Sequence, residues 1–166
     1  SNLGFELQKI YKKPFEGLKI RDVCVEDYKL HIATNKGLFQ IWNNEVSRVI
    51  LPWEFDFSGV GVTDKGEIWL ATSENGVCFY EENSQFEVNQ KNSALLNNFS
   101  TSIMVDNLGS AWVTSNSALS EITQQKEVEN YSAENGFESI AKVIFQDSEG
   151  NVWIGTNGKG LMKFAN

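Results

Sequence analysis

The chain has 166 residues, with 22 acidic and 14 basic side chains and a formal net charge of −8. This balance argues against nucleic acid as a partner, because a surface that binds phosphates needs clustered Lys and Arg. The sequence contains no run of about 18 apolar residues, so we expect no membrane contact by this chain. Cys24 and Cys78 are too few for a disulfide framework, and we interpret both as small buried hydrophobic residues.

A motif near the C-terminal end recurs along the chain. Its clearest copy runs from Asp147 to Thr156 and reads Asp-Ser-Glu-Gly-Asn-Val-Trp-Ile-Gly-Thr. Two upstream copies keep the aspartate, the glycine and the tryptophan, and a more divergent first copy has His31 in place of the tryptophan. The residues assigned to this structural signature are Asp64, Gly66, Trp69, Asp106, Gly109, Trp112, Asp147, Gly150 and Trp153. The period of about 40 residues predicts one four-stranded propeller blade per repeat.

Each repeat is interpreted as an apolar inner strand, a polar turn, an aromatic second strand, a hairpin turn and a third strand in which apolar and polar residues alternate. A polar outer strand follows in the first three repeats. In no segment do apolar residues recur at the 3.6-residue spacing of an α-helix. We therefore predict an all-β fold of four four-stranded antiparallel blades in a single domain. The predicted blades cover residues 18–50, 57–90, 100–131 and 139–166. The last repeat ends before an outer strand, so we expect residues 4–11 to complete that blade and remove its open edge.

The motif Asp-x-x-Gly-Asn-hydrophobic-Trp-Ile-Gly-Thr-x-x-x-Gly-Leu, which spans residues 147–161, resembles the two-component regulator propeller repeats. The resemblance implies the sensor region of a bacterial hybrid two-component system. Such a region lies in the periplasm, as the extracytoplasmic part of an inner-membrane receptor whose histidine kinase would be outside this chain. The resemblance also implies an oligosaccharide as the ligand.

Catalysis is not expected from the residues. His31 is the only histidine, so a Ser-His-Asp or Cys-His system has no second candidate base. The repeated aspartates are explained by turn chemistry, and no set of ligands has the spacing of a zinc or calcium site. We therefore predict no catalytic residue, no cofactor and no metal. A glycan-active enzyme stays open as an alternative, because paired carboxylates need only meet in space.

Loops that depart from the repeat are the better candidates for function. Trp53 lies outside the repeat and near Asp56, and a flat aromatic beside a hydrogen-bonding group suits sugar stacking. The alternative for Trp53 is a wedge that packs between the first two blades. The candidate ligand-binding residues are Trp53, Asp56, Tyr11, Phe99 and Phe137.

The number of blades bears on the partners of the chain. Four blades in a half-ring would expose two apolar blade faces, more than is usual on a monomer. We therefore expect a homodimer, either sharing one eight-bladed ring or meeting through the open faces, with a closed four-bladed disc as the alternative. A further alternative function is a scaffold for receptor dimerisation that has no ligand site of its own.

Overall fold

The computed structural model describes residues 9–165, which form four antiparallel sheets of consecutive strands. The first sheet contains β1 (Ile20–Glu26), β2 (Lys29–Thr34), β3 (Gly37–Trp42) and β4 (Glu45–Arg48), and the second contains β5 (Phe57–Val62), β6 (Ile68–Thr72), β7 (Val77–Glu81) and β8 (Ser84–Val88). The third contains β9 (Ser100–Val105), β10 (Ala111–Ser115), β11 (Leu119–Ile122) and β12 (Val128–Tyr131), and the fourth contains β13 (Ala141–Gln146), β14 (Val152–Thr156) and β15 (Leu161–Phe164). Single 3₁₀ turns lie at Lys13–Phe15 and Ala133–Asn135. The predicted all-β fold of antiparallel blades is confirmed, and we number the sheets as blades one to four.

The fourth sheet has three strands among the described residues. The outer strand predicted for it, residues 4–11, falls mainly on residues 1–8, which lie outside the described part of the chain. Within that part, the Tyr11 hydroxyl donates a hydrogen bond of 2.8 Å to Asn44 Oδ1, in the β3–β4 hairpin of blade one. Tyr11 therefore contacts the outer edge of the first blade.

The turn between the inner and second strands is built alike in blades three and four. Asp106 Oδ1 accepts two backbone hydrogen bonds of 2.9 Å, and its Oδ2 accepts one of 2.8 Å from Trp112 Nε1. Asp147 repeats this pattern, with Trp153 Nε1 donating at 2.7 Å. Donation by the Trp153 indole, followed by the Asn151 amide, lowers the pKa of Asp147 to about 2 because these bonds favour the ionised form. The structural role predicted for both aspartates agrees with this geometry.

Blade two departs from the predicted register by one residue. Thr63, and not Asp64, holds the position of the turn aspartate: its Oγ1 accepts the backbone N–H groups of Lys65 and Glu67 at 3.3 and 3.1 Å. Asp64 is exposed. A single hydroxyl cannot also bond the indole, and Trp69 Nε1 is buried without a hydrogen-bond partner in the described chain. The assignment of Asp64 to the signature was wrong because the glycine, at a fixed three residues after the acceptor, sets the turn.

The glycines of these turns are required by backbone conformation. Gly66, Gly109 and Gly150 have φ values of +81°, +86° and +86°. Side chains other than glycine are strained in this region. The predicted structural role of all three glycines therefore has a conformational cause.

Blade one replaces this turn with a two-residue hairpin. Asp27 and Tyr28 both have positive φ, 44° and 62°, as a type I′ turn requires. No turn carboxylate then reaches the second strand, and His31 occupies the tryptophan position with Nδ1 3.2 Å from Gln40 Nε2. Because an amide nitrogen donates, this contact places the ring proton on Nε2, which is buried with no partner among residues 9–165.

The core lies between successive blades and not within any one of them. Three clusters of buried apolar side chains join blade one to two, two to three, and three to four. At each junction, the face that carries the tryptophan or His31 packs against the opposite face of the next blade. We call these the tryptophan face and the receiving face of a blade. Among the described residues, no such cluster joins blade four to blade one, so the four blades form an open arc.

Candidate functional site

One rim of the arc carries the loops that differ most between repeats. It contains the links between blades, residues 49–56, 89–99 and 132–140, together with the β2–β3-type turns at residues 35–36, 73–76, 116–118 and 157–160. These connections share a rim because consecutive antiparallel strands alternate in direction. We call it the upper rim.

A hydroxyl side chain anchors each turn of the upper rim. Thr34, Thr72, Ser115 and Thr156 donate to the backbone oxygens of Gly37, Gly76, Ala118 and Gly160 at 2.7–3.0 Å. The turns are therefore rigid supports at equivalent places, and the residues between the anchors are free to differ.

Trp53 lines a cleft where blade one meets blade two. Its ring is half-buried and packs against the core cluster of this junction, while part of it borders a cavity of about 100 Å³. A second cavity, of about 310 Å³, adjoins the first because Arg48 and Glu54 border both. The Trp53 cleft thus contains an aromatic ring, a carboxylate and a guanidinium. Trp53 combines the two roles that the sequence left as alternatives, a wedge between blades and a wall of a cleft.

Arg48 is held in place at the mouth of this cleft. Its Nη2 donates a hydrogen bond of 3.0 Å to the backbone oxygen of Lys36. The guanidinium lies over Gly37, where an added Cβ would be 3.2 Å from Arg48 Nε, and Gly37 has a φ of +121°. Gly37 therefore makes room for the arginine. Asn35 also lines the wider cavity, but its Oδ1 already accepts the Lys19 N–H at 2.7 Å.

Asp56 binds within the protein and not in the Trp53 cleft. Its Oδ2 accepts a hydrogen bond of 2.9 Å from Arg21 Nη2, which also makes an ion pair between blade two and the inner strand of blade one. Asp56 Oδ1 is buried with no hydrogen-bond partner in the described chain. Asp56 does not line either cavity beside Trp53. The predicted pairing of Trp53 with Asp56 as one sugar-binding unit is not what the structure shows.

Arg21 reaches Asp56 because of a recurrent irregularity in the inner strands. The pairing of each inner strand with its neighbour shifts near the strand's start, which leaves Arg21, Ser58, Thr101 and Lys142 as extra residues at equivalent positions. Such β-bulges redirect a side chain. Ser58 Oγ also reaches the following blade, donating to the Ser100 backbone oxygen at 2.6 Å.

A second cleft, of about 520 Å³, opens on the upper rim where blade three meets blade four. Phe137 and Ile140 form its apolar wall, and Asn116 and Asn157 come from the two adjacent turns. Ser139 Oγ, which borders it, is buried with no partner among residues 9–165. An exposed contact of 3.9 Å between Lys159 Nζ and Glu138 flanks it.

The remaining predicted site residues do not join one site. Phe99 is exposed on the link between blades two and three, and Tyr11 lies beside Asn44 on blade one. Phe137 is only 3% exposed, because its ring belongs to the core cluster of blades three and four. Phe137 therefore packs in the core and also borders the second cleft, and its contact with a ligand stays a prediction. Trp53 and Asp56 share the junction of blades one and two, whereas Tyr11, Phe99 and Phe137 each lie elsewhere on the arc.

Two residues of the Trp53 cleft were not predicted, Arg48 and Glu54. Glu54 follows Trp53 directly, so its place on a loop outside the repeat was a usable signal. Arg48 ends an outer strand, and only its pairing with Phe39 brings it near the β2–β3 turn. The sequence holds no signal for that contact.

Two other titratable side chains, His31 and Cys78, are buried and have shifted pKa values. Burial lowers the pKa of His31 to about 4, with the Lys29 charge as a smaller cause. Burial also raises the pKa of Cys78 above its ordinary value, which makes the thiol unreactive. Residues 9–165 hold no group of three or more metal-ligating side chains and no helix long and apolar enough to cross a membrane.

Comparison with known proteins locates the family signal and the fold. The family described as Two component regulator propeller matches residues 137–158. No curated protein matches the chain. Among solved structures, the extracellular domain of a hybrid two component system from B. thetaiotaomicron is 16% identical, with a TM-score of 0.70 over 89% of this chain and 21% of its own. A second such domain from that organism is 20% identical, with a TM-score of 0.67 over 95% and 24%.

An enzyme shares the same fold. Virginiamycin B lyase from Staphylococcus aureus is 16% identical, with a TM-score of 0.69 over 93% of this chain and 58% of its own. The chain thus spans less than two thirds of each of these proteins, and at such identities the similarity shows the fold alone. The resemblance found in the sequence is confirmed: residues 137–158 match the two-component regulator propeller repeat, within a chain that has a β-propeller fold similar to that of these extracellular domains.

Proposed function

We propose that this chain is part of the periplasmic sensor of a hybrid two-component receptor and binds an oligosaccharide on its upper rim without catalysis. The propeller repeat and the fold of the extracellular sensor domains support the receptor assignment. The Trp53 cleft supports the ligand class. The carrying observation is the half-buried ring of Trp53 beside Arg48 and Glu54.

The chemistry of the cleft suits a sugar. A pyranose ring has an apolar C–H face, which the Trp53 ring can cover, and hydroxyl groups at its edge. Glu54 can accept from those hydroxyls, and Arg48 and Lys36 can donate to them. Hydrogen bonds to charged groups contribute about 1.5–3 kcal/mol each. The guanidinium needs little rearrangement, since the Lys36 backbone oxygen already holds it.

A titration of a glycan panel by calorimetry tests the proposal. We expect at least one oligosaccharide to bind, and Trp53→Ala to weaken that binding by about tenfold or more, the equivalent of about 1.4 kcal/mol. Trp42→Ala is the matched control, because Trp42 is 58% exposed at the end of β3 and lines none of the described cavities of the upper rim. Unchanged affinity in Trp53→Ala would contradict the assignment of the cleft.

The same samples test the absence of catalysis. We expect the bound oligosaccharide to be recovered intact after prolonged incubation with the chain. A shortened or unsaturated product that appears in proportion to protein concentration would overturn the non-enzymatic proposal and favour a glycan-active propeller enzyme.

A scaffold for receptor association is a second candidate function. Exposed apolar residues on the two terminal blades favour it, among them Val25, 68% exposed, and Phe145, 62% exposed. Absence of binding across the panel, together with self-association, would favour this function over ligand recognition.

A further inference from the structure

Turns of the upper rim contain asparagines that are followed directly by glycine. The three pairs of this kind are Asn75-Gly76, Asn135-Gly136 and Asn157-Gly158. Such a pair is chemically reactive, because the backbone nitrogen of the glycine can attack the side-chain carbonyl of the asparagine and displace its amide as ammonia. Glycine favours this deamidation because it has no Cβ to shield the nitrogen and few restrictions on φ and ψ. The fold restrains the three pairs to different extents.

The pair Asn75-Gly76 is held at the attacking nitrogen. Gly76 N donates a hydrogen bond of 2.9 Å to the backbone oxygen of Asn98, in the link between blades two and three. Gly76 is buried, and a Cβ placed on it would collide with the Val88 backbone oxygen. The Asn75 backbone N–H is also fixed, because it donates to Thr72 Oγ1 at 2.8 Å. Attack on the Asn75 side chain therefore requires that this turn first opens.

The pair Asn135-Gly136 is held at the side chain under attack. Asn135 Oδ1 accepts the Ser132 backbone N–H at 2.6 Å, and Asn135 Nδ2 donates to the Asn130 backbone oxygen at 2.8 Å. Both ends of the amide are thus fixed within the 3₁₀ turn that precedes blade four. The amide must lose two hydrogen bonds before it can rotate toward the Gly136 nitrogen.

The pair Asn157-Gly158 forms the tip of the turn between β14 and β15, where neither reacting group is held. Among residues 9–165, the Asn157 side-chain amide and the Gly158 N–H have no hydrogen-bond partner. Both residues are exposed, and a Cβ placed on Gly158 would meet nothing within 4 Å. The base of the turn is fixed by Thr156, whose Oγ1 donates to the Gly160 backbone oxygen at 2.7 Å. The tip can therefore rotate into the reactive geometry without disturbing the sheet.

Two asparagines at equivalent turns lack one of these properties each. Asn35 in blade one follows the anchoring hydroxyl as Asn157 does, but its Oδ1 accepts the Lys19 N–H at 2.7 Å. Asn116 in blade three is exposed, and its amide has no hydrogen-bond partner in the described chain. It is followed by Ser117, however, and the serine Cβ crowds the attacking nitrogen. Of these three asparagines, Asn157 alone combines a free amide with a following glycine.

We propose that the fold directs spontaneous deamidation to Asn157, with water as the only co-reactant. The Gly158 nitrogen loses its proton to solvent and forms a bond to Asn157 Cγ. The Cγ–Nδ2 bond breaks, and the amide nitrogen takes the electron pair and a proton and leaves as ammonia. Water then opens the cyclic imide at either carbonyl, which yields aspartate or isoaspartate. Because Asn157 borders the second cleft, the reaction adds a negative charge to the lip of that cleft.

Peptide mapping of aged protein tests the selectivity. The full chain is incubated in mildly alkaline buffer and digested, and chromatography with mass spectrometry measures the rate at each pair. In the folded chain we expect Asn157 to react at least about tenfold faster than Asn75 or Asn135, because those two pairs react only from locally opened states. In the chain unfolded by urea the three rates should converge, since the reacting pair is the same. Comparable rates in the folded chain, or the same selectivity in urea, would overturn the proposal.

A charge measurement on variants provides an independent readout. Ion-exchange chromatography of the aged unmodified chain should show a growing acidic form. Asn157→Gln should keep a single form, because attack on the longer side chain would have to close a larger ring. Asn116→Gln is the matched control at an exposed position of the equivalent turn, and it should leave the acidic form unchanged. An acidic form that grows equally in Asn157→Gln would contradict the assignment. None of these results depends on whether either cleft binds a glycan.

Discussion

At the scale of single residues, blades two, three and four each have a side-chain acceptor in the turn after the inner strand, but the acceptors make different sets of hydrogen bonds. Asp106 and Asp147 each bind two backbone N–H groups and the indole of the following tryptophan. Thr63 Oγ1 accepts two backbone N–H groups and donates to Glu67 Oε2 at 2.8 Å, and the indole of Trp69 is left buried without a partner in the described chain. A carboxylate has two oxygens and a hydroxyl has one, so only the carboxylate can serve both the turn and the tryptophan.

This difference predicts that removing the side chain of Asp106 lowers the free energy of unfolding more than removing that of Asp64. Asp106→Ala leaves a buried indole N–H and two backbone N–H groups without their acceptor, and should lower the free energy of unfolding by about 2–3 kcal/mol. Asp64→Ala, at an exposed position one residue from the true acceptor, should change it by less than about 0.5 kcal/mol. Urea denaturation of the two variants measures both values. Equal costs would restore Asp64 to the signature.

His31 predicts a pH dependence of stability. Its pKa falls from 6.5 to about 4 in the folded chain, because burial disfavours the charged ring. The unfolded chain therefore binds more protons between these values, and stability is lost as pH falls from about 6.5 to about 4. Replacing His31 by Gln should remove this part of the dependence, which is on the order of 2–3 kcal/mol. Denaturation at pH 7 and pH 4.5 tests it, and parallel curves for the two proteins would contradict it.

At the scale of elements, the spacing of inner strands depends on side-chain size. Gly59 and Gly61 on β5 face Ile103 and Val105 on β9, which pack directly against the β5 backbone. A Cβ built on Gly61 would lie 2.6 Å from Val105 Cγ2 and 3.2 Å from the Val105 backbone nitrogen. Blades two and three are therefore closer than a side chain at these positions permits.

Gly61→Ala should push these strands apart and lower the free energy of unfolding by about 1–3 kcal/mol. Gly155→Ala is the control: its Cβ would meet Val143 Cγ1 at 2.7 Å, but Val143 lies on an exposed face and can move. We expect the control to cost less than half as much in the same thermal or urea unfolding measurement. A larger cost at Gly155 would show that strand spacing is not the limiting factor.

At the scale of the whole molecule, stability is carried by contacts between neighbouring blades, as in other repeat proteins. Blade two is covered on both faces, and every residue of β6 is buried. Blades one and four each have one uncovered face, with exposed residues along β1 and β13. The middle of the arc should therefore open less often than its ends.

Amide hydrogen exchange read by mass spectrometry tests this gradient. We expect the slowest exchange in β6 and β10, and the fastest strand exchange in β1, β13 and β15, because opening a terminal blade exposes one interface and opening a middle blade exposes two. Protection of β1 and β13 should also rise with protein concentration if copies cover each other's open faces. Uniform protection across all four blades at low concentration would contradict the gradient.

Much of the fold follows from local chemistry that can be read along the chain. The tryptophan, glycine and aspartate of the turns repeat because each forms a short-range contact within its own hairpin, as Trp153 does with Asp147. The off-by-one error at Asp64 shows the limit of this reading, since a threonine can replace the acceptor without leaving a visible motif.

The site was less predictable, because its members meet only through packing between blades. Trp53 was identified from its place outside the repeat, but Asp56 binds Arg21 and Phe137 enters the core. Arg48 belongs to the cleft only because the guanidinium crosses a neighbouring turn. Which side chains line the cleft therefore depends on contacts between residues that are distant along the chain.

The all-β class, the four repeats and the propeller resemblance follow from the amino-acid sequence alone, since they depend on periodic side chains and tight turns. The open arc of the described blades, the two clefts of the upper rim and the uncovered blade faces became known from the three-dimensional structure. They could not be predicted because shape and burial across an interface select the neighbour of a blade. The residues of that interface, such as Gly61 and Val105, are far apart along the chain.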